Sequence, residues 1–393
     1  MIASAAGATE LDLIIPPSLS GGDEAAYSVA IDGQRVAVGL PGAGDGSGAV
    51  VIFNCSATGC VQEQRLELSP ARSGAAFGSS LAIGGDVLAA GLPQRDGGAV
   101  RLYRRSGGGT WSLEREFASA TTGDKFGLAI ALGSGYVAVA APESGGGNGR
   151  VELYADSGGS WSHAQTLTAP ANGGRFGQAL ALNGATLLVG APFLAGATPG
   201  SYARGSSYAY TLSTGTWSLQ ATLQANAAAD GDLFGYSVAL DGDIAVIGAP
   251  RRAATQGRGF VFQRSAAVWT QQAELSAGRS LPGDYMGWSA AISGSRAGLG
   301  APFASEDPGE NCGRLQLFDG PGTWRENSLG EVARPQAGEL SGWAVAVSGE
   351  RWLAGAPGRS IGLLPHYGAV YRFDPDQRLF ADGFETPESP CAP

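Results

Sequence analysis

Apolar and polar positions alternate with period two along most of the chain, in short runs closed by glycine, proline or an Asx-Gly pair. Such alternation predicts half-buried strands rather than helices. The stretch DKFGLAIALGSGYVAVAAPESG, residues 124–145, shows the unit: two apolar runs flank a glycine–serine turn and end at Ala-Ala-Pro. The unit occurs seven times, at Ala25–Pro41, Phe77–Pro93, Phe126–Pro142, Phe176–Pro192, Phe234–Pro250, Met286–Pro302 and Ser341–Pro357. Each closing proline lies 16 residues after the first residue, whereas successive prolines are 52, 49, 50, 58, 52 and 55 apart. Constant spacing inside the unit and variable spacing outside it describe a rigid element joined by tolerant loops, and a period near fifty residues calls for a repeat architecture.

Turn chemistry assigns the strands. Asp32-Gly33, Asn183-Gly184 and Asp241-Gly242 are the pairs that a two-residue hairpin with positive φ requires. Each unit therefore reads as strand, tight turn, strand, stopped by proline at a sheet end. A variable loop and a third alternating strand follow, as in GAVVIF, GRVELY and GFVFQR; a fourth strand commonly opens with tryptophan, at Trp111, Trp161, Trp217, Trp269 and Trp324. Four antiparallel strands in each of seven units predict an all-β, seven-bladed β-propeller. The seventh unit supplies only three strands, and residues 11–16 stand where its missing outer strand should come from. The N-terminal strand should thus complete the last blade and close the ring, leaving no unpaired sheet edge at the joint.

Phe-Gly, a hairpin and Gly-Ala-Pro resemble the FG-GAP repeat. The chain is similar to bacterial FG-GAP repeat proteins and, more distantly, to the propeller of integrin α subunits, over about residues 11–374. The resemblance implies a scaffold whose loops set the function, and it brings adhesion and ligand binding into view. Integrin-type blades often hold calcium in a D-x-D-x-D-G hairpin. Here the hairpins read IDGQR, IGGDV, LGSGY, LNGAT, LDGDI, ISGSR and VSGER. They are too short and too weakly acidic to supply about six to eight oxygen ligands, so no metal site and no cofactor is carried over.

Composition narrows the choice of partner. The net charge is −10 and Lys125 is the sole lysine, without any basic run, which opposes nucleic-acid binding. No apolar span approaches the roughly 20 residues of a transmembrane helix. Residues 1–10 are small and carry no basic stretch, as expected of a trimmed leader remnant, and 375–393 leave the repeat as a tail containing LFADGFE. Cys55 and Cys60 bracket a hairpin loop, where a disulfide would suit an exported, extracellular or cell-surface protein; two free loop thiols are the alternative. Cys312 and Cys391 are too distant in sequence to be paired by inspection.

Chemistry-bearing motifs are sparse. Two histidines exclude a His-rich metal site, and no nucleophile elbow, P-loop or zincin motif occurs. Acids recur two positions before the unit, at Asp23, Asp124, Asp232, Asp284 and Glu339, where accepting backbone N–H groups is the expected role. The irregular loops after the prolines are the better candidates for binding: Phe193, Tyr202 and Arg204 in blade 4, Arg251 and Arg252 in blade 5, and His366 and Tyr367 in blade 7. Exposed aromatics and arginines on one face fit a non-enzymatic scaffold recognising a protein or glycan. The competing readings are a propeller enzyme acting on glycans or lipids and a structural domain of a larger surface assembly. Because the hairpins lack calcium ligands, a calcium chelator should leave the thermal unfolding midpoint unchanged; a fall of several degrees would show that a bound ion stabilises the fold.

Overall fold

Glycines at positive φ force each repeated unit into a hairpin. Gly33, Gly85, Gly184, Gly242, Gly294 and Gly349 take φ between 56° and 58°, and in the third unit Ser134 and Gly135 share the task at 53° and 76°. In the computed structural model the described residues are 12–14, 16, 19–56, 59–171, 173–194, 203–305, 310–327, 336–360 and 366–373. Their strands assemble into seven four-stranded antiparallel sheets. From the innermost strand outward, blade 1 comprises Ser28–Asp32, Arg35–Leu40, Ala49–Ser56 and Gly59–Glu67. Blades 2 to 6 repeat this order, down to Ser289–Ser293, Arg296–Ala301, Arg314–Asp319 and Arg325–Asn327 in blade 6. Blade 7 takes Ala344–Ser348, Arg351–Ala356 and Ala369–Phe373 from its own unit.

The fourth strand of blade 7 is the N-terminal Asp12–Ile14, which pairs antiparallel with Asp12 opposite Arg372, Leu13 opposite Tyr371 and Ile14 opposite Val370. The expected ring closure is therefore present. Stretches 1–10 and 375–393 lie outside the described residues. Cys55 and Cys60 sit directly opposite each other and form the disulfide. Cys312 is disulfide-bonded as well, with its partner outside the described residues.

Apolar side chains collect between the sheets rather than at one centre. Seven hydrophobic clusters occupy the seven gaps between adjacent blades. Phe77, for example, lies among Ala37, Val50 and Ile52 of blade 1 and Leu88 and Ala90 of its own blade. The leading Phe77, Phe126, Phe176, Phe234 and Met286 are all 2% exposed or less, and each such burial contributes about 1.5 to 3 kcal/mol.

Glycine explains how close the sheets come. A Cβ on Gly39 would overlap the carbonyl oxygen of Gly78 in the next blade, and the same holds for Gly91 on Gly127, Gly190 on Gly235, Gly248 on Gly287 and Gly300 on Gly342. The Gly of Gly-Ala-Pro thus meets the Gly of the following Phe-Gly, backbone to backbone. Ser28, Ser80, Ser237 and Ser289 tighten the same joint, each donating its hydroxyl to that carbonyl across the gap at 2.6–2.8 Å. At the opposite end of the hairpins, Asp32 accepts from Gly85 N–H at 2.7 Å and Asp241 from Gly294 N–H at 2.6 Å. These carboxylates fasten neighbouring blades. The outer-strand tryptophans do likewise: Trp111 donates its indole N–H to Glu63, Trp161 to Glu114 and Trp269 to Gln220, each in the preceding blade.

Two alanine substitutions separate the joint from the turn. Gly248→Ala should destabilise by about 2 kcal/mol or more, because the new methyl meets fixed backbone. Gly242→Ala has open space around it and should cost only about 1 kcal/mol, the strain of a left-handed alanine. Denaturant titration of both variants checks the order; equal losses would refute the backbone contact as the limiting feature.

Candidate functional site

The loops after the prolines and the connections between blades meet at one end of the ring because a glycine joins them. Gly48, Gly98, Gly205, Gly257, Gly313 and Gly368 open the third strands and form parallel bridges with Phe77, Phe126, Phe234, Met286, Ser341 and Ala25 of the next blade. In blades 1, 3 and 5 the loop leading to the third strand coils left-handed. Gly145, Gly146 and Gly147 do so in blade 3, where glycine tolerates it; in blade 5 the same path is taken by Ala253, Ala254 and Thr255, at φ 56°, 54° and 67°. Side chains forced into that region cost about 1 to 2 kcal/mol each, so blade 5 carries a strained loop.

The recurrent acids are part of this scaffold. Asp23, Asp124, Asp232, Asp284 and Glu339 are all 5% exposed or less. Asp23 accepts from the Ser20 N–H at 2.8 Å, Asp232 from Ala229 at 2.8 Å, Asp284 from Leu281 at 2.9 Å and Glu339 from Gln336 at 3.1 Å, the turn role expected of them. Asp124 instead accepts from Ser119 at 2.7 Å and Arg150 at 2.8 Å. Burial pushes the Asp284 and Glu339 carboxyls above their ordinary values, against the hydrogen bonds and the cation that favour the charged form.

The predicted loop residues divide into those already engaged and those left free. Arg252 is engaged, reaching Asp232 at 2.9 Å, Glu274 at 3.3 Å and the Ala227 carbonyl at 2.6 Å. Arg204 pairs with Asp230 at 2.5 Å. Tyr367 donates its hydroxyl to the Leu19 carbonyl at 2.9 Å, tying the start of the ring to its last blade. Phe193 is 37% exposed and its ring carries the Arg175 guanidinium at 4.6 Å. His366 is exposed, and Tyr202 lies outside the described residues. Arg251 is exposed and has no carboxylate partner among the described residues. It faces a cleft of about 780 Å³ between blade 5 and the connection that enters it from blade 4, lined also by Asp230, Asp232, Arg252, Arg258 and Glu274. Blade 5 and the end of blade 4 are thereby brought together; Phe193 and the blade 7 residues do not line this cleft.

A further group was not singled out from sequence. Tyr236, Trp288, Trp343 and Tyr27, in blades 5, 6, 7 and 1, stand in ring contact with centroids 4.9, 5.0 and 5.4 Å apart. Each occupies the same register, two residues after the head of the repeated unit. Aligning the seven units would have revealed the aromatic run; reading each loop separately does not. Among the described residues, no group of three or more His, Cys, Asp or Glu is placed to hold a metal ion.

The FG-GAP repeat family model matches residues 217–262. Among solved structures, the crystal structure of Saccharomyces cerevisiae Sqt1 is similar at a TM-score of 0.53 and 10% identity, over 94% of this chain and 99% of that one. This likeness is one of fold. No curated protein matches the chain.

Arginine on this face is mostly neutralised in place. Glu116 alone accepts from Arg101 at 2.7 Å and Arg95 at 2.7 Å, and it lies 3.4 Å from Arg72. Burial pushes the Glu116 carboxyl up, but the hydrogen bonds from Arg101 and Arg95 prevail and hold it below its ordinary value of 4.5. A depressed carboxylate stabilises the fold above its unfolded pKa and loses that contribution as pH falls through the folded value. Glu116→Gln should therefore destabilise by about 1 to 2 kcal/mol at pH 7. The difference should shrink as pH falls below the ordinary glutamate value and through the lower folded one, checked by unfolding at stepped pH.

Proposed function

Starting from an FG-GAP repeat protein folded as a seven-bladed β-propeller, we propose that this chain is a non-enzymatic, extracellular binding scaffold that recognises a protein or glycan through its loop-rich face. One observation carries the reading. The cleft between the blade 4–5 connection and blade 5 presents Arg251 without a carboxylate partner among the described residues, on a face where neighbouring arginines are held by acids. Its volume of about 780 Å³ lies in the range of ligand sites, about 300 to 1,000 Å³. An unpaired guanidinium offers planar hydrogen bonding to a carboxylate, a phosphate or a peptide carbonyl. Phe193 and His366 add exposed surface elsewhere on the face, whereas Arg204, Arg252 and Tyr367 act by shaping the loops. The strained Ala253–Thr255 turn fits a loop held in place for recognition.

Export is supported by the Cys55–Cys60 disulfide and by the bonded state of Cys312, since such bonds persist in oxidising surroundings. No helix among the described residues is long and apolar enough to cross a membrane. The proposal is tested by screening the immobilised protein against arrays of glycans and of surface proteins, with Arg251→Glu in parallel. Arg251→Glu should weaken the best partner at least tenfold, close to the 1 to 3 kcal/mol typical of a contact of this type, with an unchanged thermal midpoint. Undiminished binding by Arg251→Glu, or silence of the wild type on both arrays, would overturn the reading.

A further inference from the structure

The aromatic run at the mouth of the propeller crosses four consecutive blades. Tyr27, Tyr236, Trp288 and Trp343 each immediately precede an innermost strand, so they surround the entrance to the central channel. Successive rings are turned by 46°, 47° and 49°. That is close to the one-seventh turn relating neighbouring blades, as expected of rings standing upright around the axis. Phe303, from the loop after Pro302, meets Trp288 and Trp343 edge-on at 82° and 71°, and Tyr285 meets Phe303 in turn. All six are half-buried. The remaining blades place Ser79, Leu128 and Gln178 at this register, so the mouth is aromatic on one side only.

The polar tips of this cluster are unused. On the outer rim Trp111, Trp161 and Trp269 donate their indole N–H groups to acceptors in the adjacent blade, whereas the Trp217 N–H is buried without a partner. Among the described residues, the N–H groups of Trp288 and Trp343 and the hydroxyls of Tyr27, Tyr236 and Tyr285, all on half-buried side chains, have no protein acceptor and are left for solvent or a ligand. Burial, and then the Tyr27 phenol, raise the Tyr236 phenol well above its ordinary value. The Gln178 amide oxygen is buried without a donor. A plug whose task was only to seal the channel would gain nothing from five idle donors. Charge on the rim is partly spent: Arg175 pairs with Glu143 at 2.8 Å, while Lys125 binds the neutral Gln94 and keeps its charge. The exposed Glu24 beside Tyr27 and the net charge of −10 disfavour an anionic ligand.

We propose that the axial aromatic arc formed by Tyr27, Tyr236, Trp288 and Trp343 is a subsite for an uncharged oligosaccharide. The C–H faces of pyranose rings pack on upright aromatic rings, while ring hydroxyls accept from the idle Tyr and Trp donors and can donate to Glu24. This combination of apolar platforms with a few directed polar groups is what a neutral sugar requires. The proposal rests on the reading of this end of the ring as the binding face, but it names a site distinct from the Arg251 cleft.

The test is isothermal titration, with tryptophan fluorescence alongside, using hexamers of cello-, chito-, malto-, manno-, xylo- and galacto-oligosaccharide. An acidic oligosaccharide and an arginine-rich peptide serve as the charged probes. At least one neutral hexamer should bind and change the fluorescence. Trp288→Ala should weaken that binding at least tenfold, and the double change Tyr27→Phe with Tyr236→Phe, which keeps the ring packing, should weaken it about threefold or more, the effect of losing one or two hydrogen bonds. Arg251→Ala should leave it unaltered. The subsite is refuted if no neutral hexamer binds, if binding survives both aromatic variants, or if the arginine-rich peptide alone binds at the arc. A glycan or protein lost on Arg251→Glu but kept by the aromatic variants would refute the arc while leaving the binding face intact.

Discussion

The whole ring depends on backbone meeting backbone where the glycine of one Gly-Ala-Pro lies against the glycine of the next Phe-Gly. Methyl groups at Gly39, Gly190 or Gly248 would collide with a carbonyl oxygen of the neighbouring blade, and collisions with fixed backbone cannot be relieved by a rotamer change. Because the sheets can approach this closely, the leading phenylalanine drops into the gap and a serine hydroxyl spans it. Blade 3 has Ala140 at this position, and there it is Gly177 whose added Cβ would meet the alanine methyl. The space for one side chain is available at that joint, but not for two.

The second consequence is spatial. A contact that fixes the blades to one another also fixes where their loops emerge, since the glycine opening each third strand is bridged to the head of the following unit. Loop sequence is then free to vary without disturbing the core, in keeping with the variable spacing outside the unit. Charge on this face follows the same division. Asp124, Asp232 and Glu339 hold Arg150, Arg252 and Arg359 in place, and these pairs keep connecting turns in shape. What remains unneutralised among the described residues, Arg251 above all, stands out against that background. The aromatic arc is the other departure from sevenfold sameness, and it too falls where the joint leaves side chains directed at open space.

Much of this was legible before any coordinates. The count of units, the hairpin inside each and the loan of the N-terminal strand all follow from local signals: turn pairs, period-two alternation and one missing strand. The loop residues were less legible. Arg204 and Arg252 look like free cations in sequence, but acids some twenty residues away along the chain neutralise them. Tyr367 looks like an exposed aromatic but spends its hydroxyl on Leu19. The hairpin acids Asp32 and Asp241 read in sequence only as members of turn pairs, yet each caps an N–H of the next blade. In every case the deciding neighbour sits in another loop or blade, and no local pattern announces it.

The sequence by itself determined the strands, their number and the closed circle, because those depend on backbone preferences and on a repeat whose spacing can be counted. Only the tertiary structure decided which side chains on the rim are spoken for and which are left over. Tyr27 and Trp343 are more than three hundred residues apart in the chain and 5.4 Å apart in space. Closing a ring makes neighbours of its two ends, and adjacency of that kind exists only once the circle is complete.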